Sequence, residues 1–433
     1  MPDADLAACP RTLGVEGDLD LKGDRPIVRE SLEPLGPLLP QPDARSAGGR
    51  IGLEVHGDLG EIEQEWKTFT READCTAFQT IGWLATWQRH IGNLRGTIPA
   101  IVLGRGGEGR LLFILPLAIE PRGLIRRLTW LGSELCDYNA PLIRAGFADH
   151  LPAEGFAPLW RRITDLLRAS PQFRFDVIDL PKMPESIGGQ KNPFLDLPTL
   201  TNPSGAYVAI LDGDWERFYT AKRSSATRKK ERKQLKHLAE YGEIRFVDVQ
   251  EQTEIARTLE TLIGQKERAF ARMGVDNFLA WPGYGEFFRD VATDPATRDL
   301  IHVSRLDVGS GVAAANLGLR FRGCYYLILS SYHDGDLARF GPGRAHLHEL
   351  LRYAIDCGFR RFDFTIGDEP YKRDWSDLEL KLHDHLAAVT LRGRIVVAIT
   401  AALRRTKRFI KQTPALWRVF SKARALAGTI GLR

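Results

Sequence analysis

GPGRAHLHELLRYAIDCGFRRFDFTIGDEPYKRDW, residues Gly341–Trp375, reads as a tight glycine turn, an amphipathic helix, a buried strand, and a loop carrying Asp368, Glu369, Tyr371 and Lys372. Leu347, Leu350, Leu351, Ala354 and Ile355 recur at the spacing of one helix face. Gly358 follows the last of them as a C-terminal stop. A glycine-flanked turn that opens a helix aims backbone N–H groups and the positive end of the dipole at one spot, which suits a phosphate or pyrophosphate. Pro and Gly before a helix are equally ordinary punctuation, and Phe-Asp-Phe at 362–364 an ordinary buried strand. With a lysine just beyond that strand, the stretch points to acyl transfer.

Pro-Gly, a helix, then G-x-x-x-FDF-x-x-G-x-x-x-YK-x-x-W resembles the C-terminal half of GNAT-fold acyltransferases of the CelD/BcsL type, relatives of the Fem aminoacyl transferases that build peptidoglycan cross-bridges. The residues carrying the match are Pro342, Gly343, Gly358, Phe362, Asp363, Gly367, Tyr371, Lys372 and Trp375. A second matching block runs from Phe218 to Gly242, where Ser224, Ser225, Arg228 and Lys229 open a basic helix. Weaker echoes lie at Phe78-Gln79 with Trp83 and at Leu115-Pro116-Leu117. The resemblance spans roughly residues 50–390 and implies an α/β fold of two tandem GNAT-like units, Fem-like, each with a mixed sheet splayed where acyl-CoA inserts. It also implies a role in cellulose or exopolysaccharide formation.

The chain of 433 residues has a formal net charge of +5, unevenly spread. Eleven Lys or Arg and no acid follow Leu391, leaving the preceding 390 residues at −6. The five cysteines (Cys9, Cys75, Cys136, Cys324, Cys357) show no CxxC or paired spacing, so neither a zinc site nor a disulfide framework is expected, and a reducing compartment is the natural home. The longest late apolar run, Ile395–Leu403, is about half the length needed to cross a bilayer. Residues 1–48 lack a basic region followed by an apolar one, are rich in Pro and acids, and read as a loosely attached leader. The expected location is cytoplasmic.

Strands are expected at Ile51–Val55, Pro99–Leu103, Arg110–Ile119, Leu128–Gly132 and Phe173–Leu180, and helices at Ile62–Thr70, Phe78–His90 and Trp160–Leu167. GRGGEGR between two apolar strands reads as a hairpin connection, since phosphate loops feed a helix. A second hairpin, Val312–Arg320 with Cys324–Ser331, turns about Arg322-Gly323. FRFDVIDLP at 173–181 and RRFDFTIGDEP at 360–370 share Phe-Asp in the same order of elements, which suggests an internal duplication. The expected organisation is a leader (1–48), a first unit (49–200), a second unit with the donor site (201–390) and a basic amphipathic helical tail (391–433), with a linker near 195–204.

Acyl transfer from a thioester requires that donor phosphates be held, that the acceptor lose a proton, and that the oxyanion be stabilised. Gly341, Gly343 and the N–H groups of Arg344 and Ala345 are the donor candidates. GNAT enzymes carry R/Q-x-x-G-x-G/A here; this chain keeps Gly343-Arg344-Ala345 but has Phe340 at the Arg/Gln position, with Arg339 one place early. Tyr371-Lys372 matches the aromatic–lysine pair of Fem-type relatives, which implies that Lys372 steadies the oxyanion; the alternative is a surface lysine paired with Asp368 or Asp374. His333, Asp334, Asp363 and Glu369 compete for the role of base, against structural roles for His333 in a turn and for Asp363 as a paired carboxylate. No His, Cys or acid cluster has metal-ligand spacing. Ser225, Arg228, Lys229 and Arg232 are candidates for an anionic ligand, on a helix where many cations face the single acid Glu231. The leading reading is acyl-CoA as donor and an amine or hydroxyl on a sugar, sugar nucleotide or polysaccharide precursor as acceptor. Aminoacyl-tRNA as donor is the alternative, and the one case that involves nucleic acid; a silent accessory of a polysaccharide synthase is the non-enzymatic one. Basic residues mixed with Phe409, Ile410, Leu416, Trp417, Val419 and Phe420 in the tail suggest contact with the inner membrane or such a synthase, or a helix packed on the body.

Overall fold

A computed structural model describes residues 51–412. The expected leader and the end of the tail, with Leu416, Trp417, Val419 and Phe420, lie outside the described residues, as do the side chains of Phe409 and Ile410. In chain order the first part contributes β1 (Gly52–His56), α1 (Glu63–Glu72), β2 (Ala73–Asp74), α2 (Ile81–Trp87), β3 (Ile98–Arg105), β4 (Leu111–Arg122), β5 (Ile125–Trp130), β6 (Leu142–Arg144), α3 (Phe156–Ala169), β7 (Val177–Pro184), β8 (Ser186–Ile187), β9 (Gln190–Lys191) and β10 (Leu200–Thr201). The second contributes β11 (Ala206–Ile210), α4 (Trp215–Lys222), α5 (Ser225–Ala239), β12 (Ile244–Asp248), α6 (Gln252–Met273), α7 (Tyr284–Thr293), β13 (Ile301–Val308), β14 (Gly311–Phe321), β15 (Cys324–Tyr332), α8 (Pro342–Asp356), β16 (Arg361–Ile366), α9 (Pro370–Trp375), β17 (Leu378–Leu380), β18 (Leu382–Ala388) and α10 (Leu391–Gln412).

Continuous apolar runs make the central strands. Leu111–Glu120 is buried throughout, as a strand covered on both faces must be. Both expected hairpins form. Gly106 N–H donates to Arg110 C=O (2.9 Å) in the first, and in the second Phe321 pairs with Cys324 across Arg322-Gly323, both at positive φ as a two-residue hairpin turn requires. The expected helix Phe78–His90 is instead a 3-10 turn, α2 and a π turn over Gln88–Gly92. Thr76 and Gln79 cap the first turn reciprocally, which starts the helix afresh.

Two sheets result, ordered β1-β3-β4-β5-β7-β18-β10 (with β2 and β6 at the side) and β12-β13-β14-β15-β16-β11-β17. The orders correspond position by position, and each sheet has one parallel pair: β5–β7 and β15–β16. The next strand is exchanged. β11, which follows the first unit, pairs with β16; β18, at the end of the second, pairs with β7. A boundary near residue 200 therefore divides the chain but not the sheets.

The shared Phe-Asp is not the structural equivalence. Lys182 and Thr365 both have left-handed backbone (φ 59° and 58°), each at the irregularity where the exchanged strand loses register. Aligning them pairs Asp363 with Leu180. Asp176 falls ahead of β7, where its carboxylate accepts Arg126 N–H (3.0 Å).

The parallel pair β15–β16 is short. Register partners run from Cys324↔Arg361 to Tyr326↔Asp363, and beyond them the strands diverge, with Thr365 Oγ1 still donating to Leu327 C=O (3.1 Å). This is the splay that the resemblance implies. Phe362 and Phe364 pack under α8 with Leu350 and Leu351, while Asp363, between them, faces the first unit.

Candidate functional site

A cavity of about 430 Å³ occupies the splay between α8 and the end of β15. Leu327, Ser330 and Tyr332 form one wall and Gly341, Gly343 and Arg344 another; Arg223, Tyr371 and Trp375 close it. Gly341 has φ +69°, a conformation that lets the chain leave a 3-10 turn and enter α8 directly. The expected cradle is narrower than the sequence suggested. Pro342 has no N–H, and those of Arg344 and Ala345 both donate to Gly341 C=O (3.0 and 3.1 Å). Gly343 N–H remains as the donor of this turn. A Cβ at Gly343 would stand 3.0 Å from Tyr332 Cδ1, so this residue also keeps the helix close to β15.

Arg223, at the C-terminal end of α4, supplies the positive charge that the backbone does not. Its guanidinium lies 4.0 Å from the centroid of the fully buried Trp375 ring, and its side chain is 10% exposed. Nη1 pairs with Asp374 (3.2 Å), while Nε has no hydrogen-bond partner among the described residues. Glu231 Oε1 stands 3.8 Å from that Nε and 3.8 Å from His348 Nε2, and Glu231 Oε2 accepts from Tyr219 OH (2.7 Å). The single acid of the basic helix thus points inward. Burial first, then the Arg223 and Arg344 charges, push the His348 imidazole down to about 3. His346, another residue of the cavity wall, is pushed down to about 3 by burial and bonds Ser304 Oγ (3.1 Å).

A hydrogen-bonded chain crosses the second sheet and ends at the cavity. Asp248 Oδ1 lies 3.3 Å from His302 Nε2, and His302 Nδ1 is 2.7 Å from Tyr325 OH. Asn316 Nδ2 donates to the same hydroxyl (2.8 Å), and Ser330 OH donates to Asn316 Oδ1 (2.8 Å). Because Asn316 donates to the Tyr325 oxygen, the phenolic proton goes to His302 Nδ1, while His302 Nε2, near Asp248, makes no hydrogen bond among the described residues. The Ser330 proton is committed inward, so its oxygen offers lone pairs to the cavity. Gly318 leaves the room that the Tyr325 hydroxyl occupies.

Asp363 stands at the apex of the splay. Its Oδ1 accepts from Tyr138 OH of the first unit (2.7 Å) and from Thr365 N–H (2.7 Å), and burial pushes its carboxyl up to about 7 against those hydrogen bonds. Lys372 lies on α9, a short helix where the sequence suggested a loop. It is 5% exposed, so the surface-lysine alternative does not describe it. Its Nζ donates to Ile366 C=O (2.8 Å) and pairs with Glu369 (3.2 Å), bracing the turn at Gly367 and not lining the cavity. Glu369 is exposed. His333 is exposed too, with Nδ1 accepting Gly335 N–H (3.1 Å), and Asp334 is clamped by Arg268 and Arg272.

A second cavity of about 300 Å³ shares Gly341 and Arg344 with the first and is lined on its far side by Arg228 and Arg232, with Ala345 and His348. Ser225 and Lys229 are exposed and line neither. The structure thus gathers Gly341, Gly343, Arg344, Tyr371, Arg228 and Arg232 and leaves Ser225, Lys229 and His333 apart. Arg223, Ser330, His346 and Tyr138 are additions. The Trp of the C-terminal motif, on which Arg223 rests, was the available signal for the first. Among the described residues no group of three or more His, Cys, Asp or Glu is placed to hold a metal ion.

Residues 225–373 match a family model described as an acetyltransferase (GNAT) domain. No curated protein matches the chain. Among solved structures, FemX is similar at 10% identity over 74% of this chain and 95% of that one, with a TM-score of 0.50. A conserved protein of unknown function from Bacteroides thetaiotaomicron matches at 10% identity over 78% and 100%, TM-score 0.49. L-PGS from Bacillus licheniformis matches at 12% over 77% and 95%, TM-score 0.47. The matched span runs from α5 into α9 and supplies the splay and most of the lining of both cavities, with Arg223 and Trp375 just outside it. The chain carries a GNAT acetyltransferase domain in its second unit, and its class of activity is acyl transfer.

Proposed function

We propose that the second unit takes acyl-CoA into the splay and passes the acyl group to an amine or hydroxyl of a sugar, sugar nucleotide or polysaccharide precursor. The observation carrying this reading is the cavity lined by α8 and the end of β15, beyond the point where β15 and β16 part, with Gly343 N–H, Arg344 and Arg223 grouped on its wall. Those groups suit the donor's phosphates, and Ser330 suits an amide N–H of the pantetheine arm. The acceptor nitrogen or oxygen attacks the thioester carbonyl, the C–S bond breaks and CoA leaves as the thiolate. Among the competing bases we assign the acceptor's proton to Asp363, which stands at the apex of the splay but outside the cavity lining, and whose carboxyl burial pushes up to about 7. The sugar acceptor rests on the CelD/BcsL-type resemblance of the Gly341–Trp375 motif.

Isothermal titration with acetyl-CoA and a long-chain acyl-CoA tests the donor. Micromolar binding is expected, lost in Gly343→Asp, whose carboxylate would meet Tyr332 and repel the phosphates. Failure of the native protein to bind either compound overturns acyl-CoA as donor and turns attention to aminoacyl-tRNA.

A further inference from the structure

The C-terminal helix is apolar on the wrong side. Leu391, Ile395, Ile399 and Leu403 recur every four residues along one face of α10 and are 78%, 65%, 56% and 66% exposed. The opposite face, through Gly393, Val396, Val397 and Thr400, is turned inward. An ordinary surface helix does the reverse. The first turn is held firmly. Asp176 Oδ1 accepts from Thr390 Oγ1 (2.8 Å) and Arg392 Nε (2.8 Å), and Gly393 lies so close to the Asp176 carbonyl that a Cβ would collide with it. The outward direction of the stripe is therefore fixed by the body of the protein. Arg394 flanks the first half of the stripe on one side and Arg392 on the other, both exposed.

We propose that this face of α10 lies on an anionic lipid surface. Four aliphatic side chains in line fit the boundary between headgroups and acyl chains, and the flanking cations fit the headgroup phosphates. Charge decides between occupants. From Leu391 onward the sequence has eleven Lys or Arg and no acid, so a second copy packed on this helix would bring like charges together. Lipid contact through α10 does not depend on which acyl donor the cavities take.

The test is flotation of the full chain with vesicles of phosphatidylcholine containing about one-third phosphatidylglycerol, and with phosphatidylcholine alone. Binding to the anionic vesicles is expected, at least about tenfold weaker on the neutral ones and weakened by salt. The double variant Ile395→Asp/Ile399→Asp should lose at least about tenfold in vesicle binding with an unchanged melting temperature, since both positions are exposed. Absence of binding to anionic vesicles, or equal binding by the variant, overturns the proposal. So does self-association of the native chain in sedimentation velocity that the variant abolishes, which would assign the face to a second copy.

Discussion

Replacing Asp363 by Asn asks what the carboxyl at the apex of the splay does to both stability and turnover. Its side chain is buried, and its pKa lies at about 7 in the folded chain against about 3.9 for a solvated aspartate. Between roughly pH 4 and 7 the folded state therefore binds more protons than the unfolded state, and stability falls as pH rises through that window. About three pKa units correspond to about 4 kcal/mol, fully expressed above pH 7. Asn keeps the acceptor oxygen for Tyr138 OH and Thr365 N–H and removes the charge. Asp363→Asn should thus be more stable than the native chain by up to about 4 kcal/mol at pH 8 and by only about 1.5 kcal/mol at pH 5. The buried His346 and His348, pushed down to about 3, contribute an opposite slope that is common to both proteins and cancels in the difference. Urea denaturation from pH 5 to 8 reads that difference. If the variant is the less stable protein at pH 8, the burial argument is wrong; if it is more stable but turns over acyl-CoA at the native rate, the assignment of the proton to Asp363 is wrong.

Tyr325→Phe removes the hydroxyl shared by His302 and Asn316 and strands two buried polar groups, so urea denaturation should report a loss of about 2–4 kcal/mol. Arg223→Ala takes the guanidinium from Trp375 and should weaken acyl-CoA binding by about tenfold in titration, the worth of one charge-assisted contact. Equal affinity would remove Arg223 from the donor site. Ser330→Ala should weaken CoA while leaving adenosine 3′,5′-bisphosphate unaffected, because the expected partner is a pantetheine amide. Asp176→Ala should free the first turn of α10, seen as faster amide exchange at residues 390–394.

Helix α8 and its glycine boundaries were legible because periodicity and punctuation agree there: Leu347, Leu350, Leu351 and Ala354 are all buried, and Gly341 and Gly358 stand at its ends with positive φ. The hairpins were legible from turn chemistry. The strand exchange was not, because nothing local to β11 or β18 names its partner. The Phe-Asp shared by the two halves, Phe175-Asp176 and Phe362-Asp363, does not mark equivalent positions in the two sheets. The true marker, left-handed backbone at Lys182 and Thr365, has no side-chain signature. At the site, the glycine turn was visible from sequence but its hydrogen bonding was not, since Gly341 C=O takes two N–H groups that the turn was expected to present. Arg223 is one cation among many in the sequence, and only the Trp375 ring beneath it sets it apart.

The exchange of β11 and β18 sets a timetable for synthesis. β7 emerges from the ribosome with its neighbour β5 already made, but its other neighbour, β18, lies about two hundred residues further on. At translation rates of about 5–20 residues per second, that strand edge waits for roughly 10–40 s. Through that interval the nascent first sheet offers unpaired N–H and C=O groups to any other extended chain. Among the described residues the last strand is thus the one that closes the first sheet, and synthesis cut short before Leu382 leaves a chain with an open seam. A chain truncated after β10 has the same defect permanently, so a co-expressed second half should restore its solubility where a chaperone alone does not.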